Sequence, residues 1–512
     1  MSQSPELAGG EGFTFEGDAA AFYFTALLAE AHAPGIDDRT VVRVSVQQRE
    51  FGEPLDDVIV DFEDAAKNPA RLSLQVKRSL TISKAETNSD FRDIIRDCWA
   101  TLKKLDFRVN VDRYGAAVGT ITPTKERALK TLCDWARESL TAAHFDARFA
   151  DSNSASAKIR VVKDDVVALL EETMGKPCTK EEAHQFLAHF VLIQFDFLRE
   201  GATDPPDAIN RIRDCLAPDD AAKASLVWSR TVQLARASAG KSGQFDRARL
   251  VRSISSVARL RGATSFRLDL DKLTELAKSY VNLIPDDVGG TRLDRISLLE
   301  ELDTKLNTAR VVQVRGLPGS GKSVVVRRAV QRAIERGPVL FLKAEQLEGT
   351  SWISYATSQG LSGALPEQLL VEIGTAGSPI LFIDAIDRIQ KEHQPVILDV
   401  IRTIVESPLL DNWRIVVSLR DTGIELLRNW LGEFLDVLKV ETLNIGQLSD
   451  DEAETLAKAK PHLKPLLFGS AQVQEIVRRP FFARVLNQSY VANPSVPTFA
   501  PRSEVDLIGN WW

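Results

Sequence analysis

Two groups of residues carry types and spacings suited to phosphate chemistry. The first is Gly316-Leu317-Pro318-Gly319-Ser320-Gly321-Lys322-Ser323, a full match to GxxxxGK[ST]. It follows the β-branched run VVQVR at 311–315 and precedes VVVRRAVQRAI, so a strand should feed a loop that opens a helix. Glycines let backbone N–H groups curl around a β-phosphate, and the helix N-terminus adds a positive dipole end. Lys322 would reach the β- and γ-phosphates, and the Ser323 hydroxyl would ligate Mg²⁺. The expected ligands are therefore ATP and Mg²⁺. Downstream, ILFIDAID describes a buried strand whose tip carries Asp384, suited to holding the Mg²⁺ water shell. Asp387 is suited either to polarising an attacking water or to capping a helix. The run RIVVSLR ends in Arg420, placed either to sense a γ-phosphate or to form a surface ion pair.

The second group is Asp57 with Gln75 and Lys77. Residues two apart on a strand point to one face, so Gln75 and Lys77 should lie side by side. A paired strand opening at Asp56-Asp57 would bring a carboxylate, an amide oxygen and an ammonium together. Metal-assisted phosphodiester hydrolysis uses such a set. Asp57 and Gln75 would bind Mg²⁺, and Lys77 would orient water and offset developing charge. The competing reading is a solvated sheet face.

These residues need elements to hold them, and composition says the chain can build them. The 512 residues are 44% hydrophobic and 26% charged, enough apolar material for several cores. With 64 basic against 71 acidic residues the net charge is −7, so any nucleic-acid contact must come from a local basic face. The amino terminus lacks the basic and apolar regions of a secretory signal, and no apolar run reaches 18 residues. The expectation is a soluble, cytoplasmic protein.

The first 120 residues read as mixed α/β. A helix is predicted at 18–32, and strands at 40–48, 56–62 and 71–80, the last two joined as a hairpin through KNPA at 67–70. From 124 to 283 helices dominate. One begins at the Thr179/Glu182 capping box, with Phe186, Phe190, Ile193 and Phe197 at helical spacing. Asp-Pro-Pro at 204–206 and ASAGKSGQ at 237–244 read as loops. A boundary is placed at IPDDVGGT (284–291), after which strands at 311–315, 339–343, 380–384 and 414–420 alternate with helices, as in a parallel sheet. From 446 the pattern is helical again, and the ending Trp511-Trp512 suggests a cut inside a larger protein.

The P-loop, ILFIDAID, VVSLR, LSDDEAETLAK and RRPFFARVLNQ together resemble a STAND NTPase of the AAA+ superfamily. That resemblance covers 286–512. It implies that Pro480, in a helical lid, packs near the nucleotide and that Arg292 lies near the base. It also implies that ATP binding switches a closed monomer to a homo-oligomer, a tetramer among the options. A phage-protein trigger would act through a sensor beyond residue 512.

Gly9-Gly10, a helix, DDVIVDF, SLQVKRSL and DFRDIIRDCW resemble the restriction-endonuclease-like PD-(D/E)XK fold. They come nearest to the double-stranded DNA endonuclease effectors of bacterial anti-phage systems. The resemblance makes Asp57 the metal-binding acid, Gln75 the occupant of a position usually held by Glu or Asp, and Lys77 the catalytic lysine. It also implies a further acid from the first helix, for which Glu30 is chosen. Arg78, Lys84 and Arg92 are candidates for a DNA-facing surface.

The fold class expected is thus multidomain α/β and α. It comprises a nuclease core at 1–123, a helical extension and linker at 124–285, a P-loop NTPase at 286–445 and a helical lid at 446–512. No membrane partner is expected. The function implied is a nucleotide-switched DNA endonuclease of anti-phage defence. Alternatives are a non-cleaving, oligomerising signalling scaffold and a motor-type restriction ATPase. Cys98, Cys133, Cys178 and Cys215 match no zinc spacing and read as reduced, buried side chains. His184 and His189, five apart, read as packing residues.

Overall fold

The computed structural model describes residues 10–150, 155–199, 201–238, 241–362 and 365–492, with positions 501, 503 and 505. Gly9 and the terminal Trp511-Trp512 lie outside the described residues. The chain forms two compact units, Met1–Thr264 and Ser265–Trp512. The division falls before the expected boundary at 284–291. The helix Arg267–Asn282, read as part of the helical extension, packs in the second unit, where Tyr280 and Val281 join the core around Val312 and Val326.

In the first unit a helix, Gly10–Ala29, precedes strands β1 (Thr40–Val46), β2 (Val58–Glu63) and β3 (Pro69–Leu80). The helix Ser89–Leu102 and strand β4 (Arg113–Ile121) follow. β2 and β3 form the expected antiparallel hairpin, Val58 opposite Leu74. β4 runs parallel to β3 after its helical crossover.

The region beyond 124 is not simply helical. β5 (Phe190–Gln194) and β6 (Gln244–Asp246) complete a six-stranded sheet of order β5-β4-β3-β2-β1-β6. The Thr179/Glu182 capping box forms as expected, but its helix ends at His189. Phe190-Val191-Leu192-Ile193 then pairs with β4. A side chain at Gly115 would put Cβ 1.8 Å from the Val191 oxygen, so this glycine admits the extra strand. The four apolar residues at helical spacing are therefore divided among a helix, a strand and the segment after it. Phe186 and Phe190 pack around Tyr114, whereas Phe197 meets Phe15 and Phe22 of the first helix. Asp-Pro-Pro at 204–206 is likewise not a loop. It forms the first turn of the helix Asp204–Cys215, where proline costs no hydrogen bond.

The second unit holds a short hairpin, β7 (Asp287–Val288) and β8 (Thr291–Arg292), before the helix Ile296–Thr308. Its sheet contains β9 (Val311–Arg315), β10 (Leu340–Lys343), β11 (Ile380–Asp384), β12 (Arg414–Ser418) and β13 (Val440–Asn444). All five are parallel, in the order β10-β11-β12-β9-β13. The edge strand β13, VETLN, has too little apolar alternation to stand out in the sequence. After it the helices Asp450–Ala459, Ala471–Val477 and Pro480–Ala492 gather around Leu456, Leu467 and Phe482 in a core of their own. Among the described residues no helix is long and apolar enough to cross a membrane.

Candidate functional sites

β9 lies between β12 and β13, so the chain leaves its tip at a point where the strand order reverses. Such crevices take ligands in open α/β sheets. The loop Gly316–Gly321 leads directly into the helix Lys322–Ile334. Gly321 has φ 97° and Gly319 φ 79°, backbone that side-chain-bearing residues rarely adopt. Lys322 Nζ donates to the Gly316 and Leu317 carbonyls at 2.8 and 3.0 Å, arching over the loop. Burial holds its ammonium below the ordinary lysine value, with Asp387 and Asp421 opposing that shift.

Ser323 Oγ donates to Asp384 Oδ1 at 2.9 Å, and Ser418 Oγ donates to the same oxygen at 2.5 Å. The parallel register explains this meeting, since β12 sits between β9 and β11 and delivers Ser418 beside Asp384. A hydroxyl and a carboxylate oxygen side by side suit a hard divalent cation such as Mg²⁺. Asp387, 2% exposed at its side chain, accepts from Arg420 Nε at 2.6 Å. These residues line one cavity of about 540 Å³ with Gly319, Gly321, Lys322, Ser323, Pro318 and Pro480.

The helices after β13 reach this loop. Phe481 N–H donates to the Gly319 carbonyl at 3.3 Å, and Arg479 Nη1 to that of Pro318 at 3.3 Å. Arg295, 4% exposed at its side chain, was not singled out from the sequence. It donates to Ser320 O at 2.7 Å, to Gly446 O at 3.1 Å and to Gln447 O at 3.2 Å, and pairs with Glu452 Oε1 at 3.2 Å. Arg292, chosen for the base, instead pairs with Asp286 at 3.0 Å and does not line the cavity. Arg295 follows a short hairpin and takes a left-handed φ of 45°, a conformation its sequence does not announce.

In the first unit, register places Asp57, one residue before β2, opposite Gln75 on β3. Asp57 Oδ2 accepts from Gln75 Nε2 at 2.5 Å and from Val76 N–H at 2.7 Å. Burial, and next the Glu16 carboxylate, push the Asp57 carboxyl well above its ordinary value, against the Val76 N–H; Asp56 adds to the rise and Lys77 opposes it. Glu16, on the first helix, lines a small cavity of about 10 Å³ with Asp57, Gln47 and Arg236. The acid that the first helix places beside Asp57 is Glu16. Glu30 lies past the helix end with φ 50°, and its field reaches Cys215. Glu16 is missed in the sequence because nothing there tells which turn of a mostly buried helix meets the strand ends.

Gln75 Oε1 is buried with no hydrogen-bond partner. That orphaned oxygen, and a second carboxylate, Glu16, close enough to raise Asp57, fit a small divalent cation such as Mg²⁺ held by oxygen donors. Lys77 Nζ lies 3.6 Å from Asp90 Oδ1, on the helix after β3. Arg92 pairs with Glu172, while Arg78 and Lys84 are exposed. His184 Nε2 meets the Ala136 and Ser139 carbonyls at 2.9 and 3.0 Å, and His189 Nδ1 meets Gln185 O at 2.7 Å. Both are packing residues, and the four cysteines are free thiols. No group of three His, Cys, Asp or Glu side chains among the described residues forms a metal cluster.

No protein-family profile matches the chain, and no curated protein matches it. Among solved structures, the Walker-type ATPase paby2304 of Pyrococcus abyssi aligns over 42% of this chain and 72% of its own. Its identity is 15% and the TM-score 0.31. The Moraxella osloensis Cap4 SAVED/CARF-domain containing receptor covers 69% of each chain at 13% identity, TM-score 0.29. The Acinetobacter baumannii Cap4 receptor with the cyclic trinucleotide 3'3'3'-cAAA aligns over 75% of this chain and 62% of its own, at 11% identity and TM-score 0.30. Likenesses this faint leave the functional reading to the sites themselves.

Proposed function

We propose that this chain is a nucleotide-switched, Mg²⁺-dependent DNA endonuclease acting in anti-phage defence. Its second unit binds ATP, and its first unit hydrolyses phosphodiesters of double-stranded DNA. The observation that carries the reading is the coexistence in one chain of two separate residue clusters whose chemistry suits phosphate. One gathers Lys322, Ser323 and Asp384; the other gathers Asp57, Gln75 and Glu16.

In the nucleotide site, backbone N–H groups of the P-loop hold the phosphates, Lys322 offsets their charge, and Ser323 and Asp384 hold Mg²⁺. When bound, the metal neutralises charge developing between the β- and γ-phosphates. Contacts of Arg295, Arg479 and Phe481 to loop carbonyls tie the carboxy-terminal helices to the loop that receives the phosphates. Occupancy of the loop is therefore felt in those helices, and the reading extends this to ATP-driven homo-oligomerisation.

In the nuclease site, Asp57, Glu16 and the Gln75 amide oxygen hold Mg²⁺, and Lys77 orients the attacking water once DNA displaces Asp90. The metal supplies Lewis-acid activation of the scissile phosphate. The test is plasmid cleavage by the purified chain with Mg²⁺, with and without ATP, beside Lys77→Ala. Cutting that needs both Lys77 and Mg²⁺ supports the reading; cutting untouched by Lys77→Ala overturns it.

One observation favours the scaffold reading, in which the first unit only binds DNA or a partner. Gln75 presents its amide N–H₂ to Asp57, and Lys77 faces Asp90. Mg²⁺-independent DNA binding without cleavage would decide for it.

A further inference from the structure

The nucleotide cavity poses a question its main residues do not answer: which group aligns the water that attacks the γ-phosphate. The acids lining it are Asp286, Asp287, Glu345, Asp384 and Asp387. Asp384 is engaged by the Ser323 and Ser418 hydroxyls at the metal position. Asp387 is bonded to Arg420 through a side chain only 2% exposed. The residue after Asp384 is Ala385, so the strand tip offers no second acid. Asp286 is gripped by Arg292 and Arg327, and Asp287 Oδ1 accepts from Gly290 N–H at 2.7 Å; both belong to the segment before the P-loop strand.

Glu345 remains. Its side chain is 56% exposed, and it follows β10 by two residues. Lys343, the last residue of β10, is the register partner of Asp384 on β11. Parallel neighbours lie about 4.8 Å apart, so Glu345 emerges at the same sheet edge as the metal position. The turn Ala344–Gln346 packs against the turn Ile386–Arg388. Lys343 Nζ contacts Glu345 Oε2, and Arg388 Nη1 lies 3.5 Å from Oε1, so two cations hold the carboxylate ionised and oriented.

We propose that Glu345 is the catalytic residue that orients the hydrolytic water in the nucleotide site. The inference rests on the nucleotide reading above. Water oxygen bonds to the γ-phosphorus as the bond from that phosphorus to the β,γ-bridging oxygen breaks. The electron pair leaves with the nucleoside diphosphate, and the water proton passes to an oxygen of the transferred phosphoryl group, released as inorganic phosphate. Phosphoryl transfer asks little covalent work of a protein, so positioning is the larger part of this role.

The test measures ATP binding and phosphate release separately in the full chain with Mg²⁺, for the unmodified protein, Glu345→Gln and Asp387→Asn. Glu345→Gln should lower kcat by about 100-fold or more and leave ATP affinity within about threefold. Glu345→Asp, which keeps the charge on a shorter arm, should recover part of the rate. Wild-type turnover by Glu345→Gln, or a loss of affinity matching its loss of rate, overturns the assignment. So does finding that split in Asp387→Asn instead. An unmodified chain that binds ATP without turnover overturns Glu345 and leaves the nucleotide reading standing; one that binds no ATP overturns both.

Discussion

Arg295 Nη1 donates to the Ser320 carbonyl across 2.7 Å, joining the segment before β9 to the P-loop. The same guanidinium bonds to Gly446, Gln447 and Glu452, so one buried side chain ties the loop to the first of the carboxy-terminal helices. Its planar fork serves several acceptors at once, which a lysine ammonium on a flexible stem does less well.

Arg295→Ala should therefore destabilise the second unit by about 3 kcal/mol, because Glu452 and the carbonyls lose a buried charged partner. Differential scanning fluorimetry should show the midpoint falling by on the order of 5–10 °C. Nucleotide titration should show weaker ATP binding. An unchanged midpoint would mean that the Arg295 cluster adds nothing.

Lys322→Ala should weaken ATP binding by about 1.5–3 kcal/mol, the worth of a hydrogen bond to a charged group. Calorimetric titration with ATP and Mg²⁺ measures it. Binding equal to wild type would displace the phosphate site from this loop.

Asp57→Asn should raise the thermal midpoint of the metal-free protein at neutral pH. The raised Asp57 value means that the folded state holds this proton more tightly than the unfolded state, which titrates near 3.8. Its stabilising contribution is full below the unfolded value and disappears as pH rises through the folded one. The gain from Asp57→Asn should consequently vanish below about pH 4. Gln75 can turn its orphaned oxygen to the introduced amide. Adding Mg²⁺ should stabilise the unmodified chain and not the variant. A lower midpoint for Asp57→Asn at pH 7 would contradict this account of the site.

Glu16→Gln removes a like charge beside Asp57, so Asp57 should ionise at lower pH. Metal affinity should nevertheless fall, since one anionic donor is lost. Mg²⁺-induced stabilisation, followed across pH in both proteins, reads the two effects separately. Equal metal response in both would remove Glu16 from the site.

The P-loop was legible because its function is written in contiguous residues. Gly316 to Ser323 fold on themselves, and Asp384 is marked by the apolar strand that ends in it. Gln75 and Lys77 could be paired by strand period alone. Glu16, Arg295 and Glu345 were not legible in this way. Each reaches its site from another element, and periodicity does not tell which turn or strand tip faces which partner.

The residues alone determined the β2–β3 hairpin, the capping box at Thr179, the P-loop context and the strand that ends in Asp384. Local backbone preference and side-chain period suffice for these. Only the tertiary structure decided that Phe190–Gln194 leaves the helical pattern to extend the first sheet. It also decided that β13 closes the second sheet beside the P-loop strand, and that Arg295 rather than Arg292 reaches the cavity. Those outcomes depend on pairing and burial between residues distant in the chain, such as Gly115 with Val191, and such energies exceed local propensity.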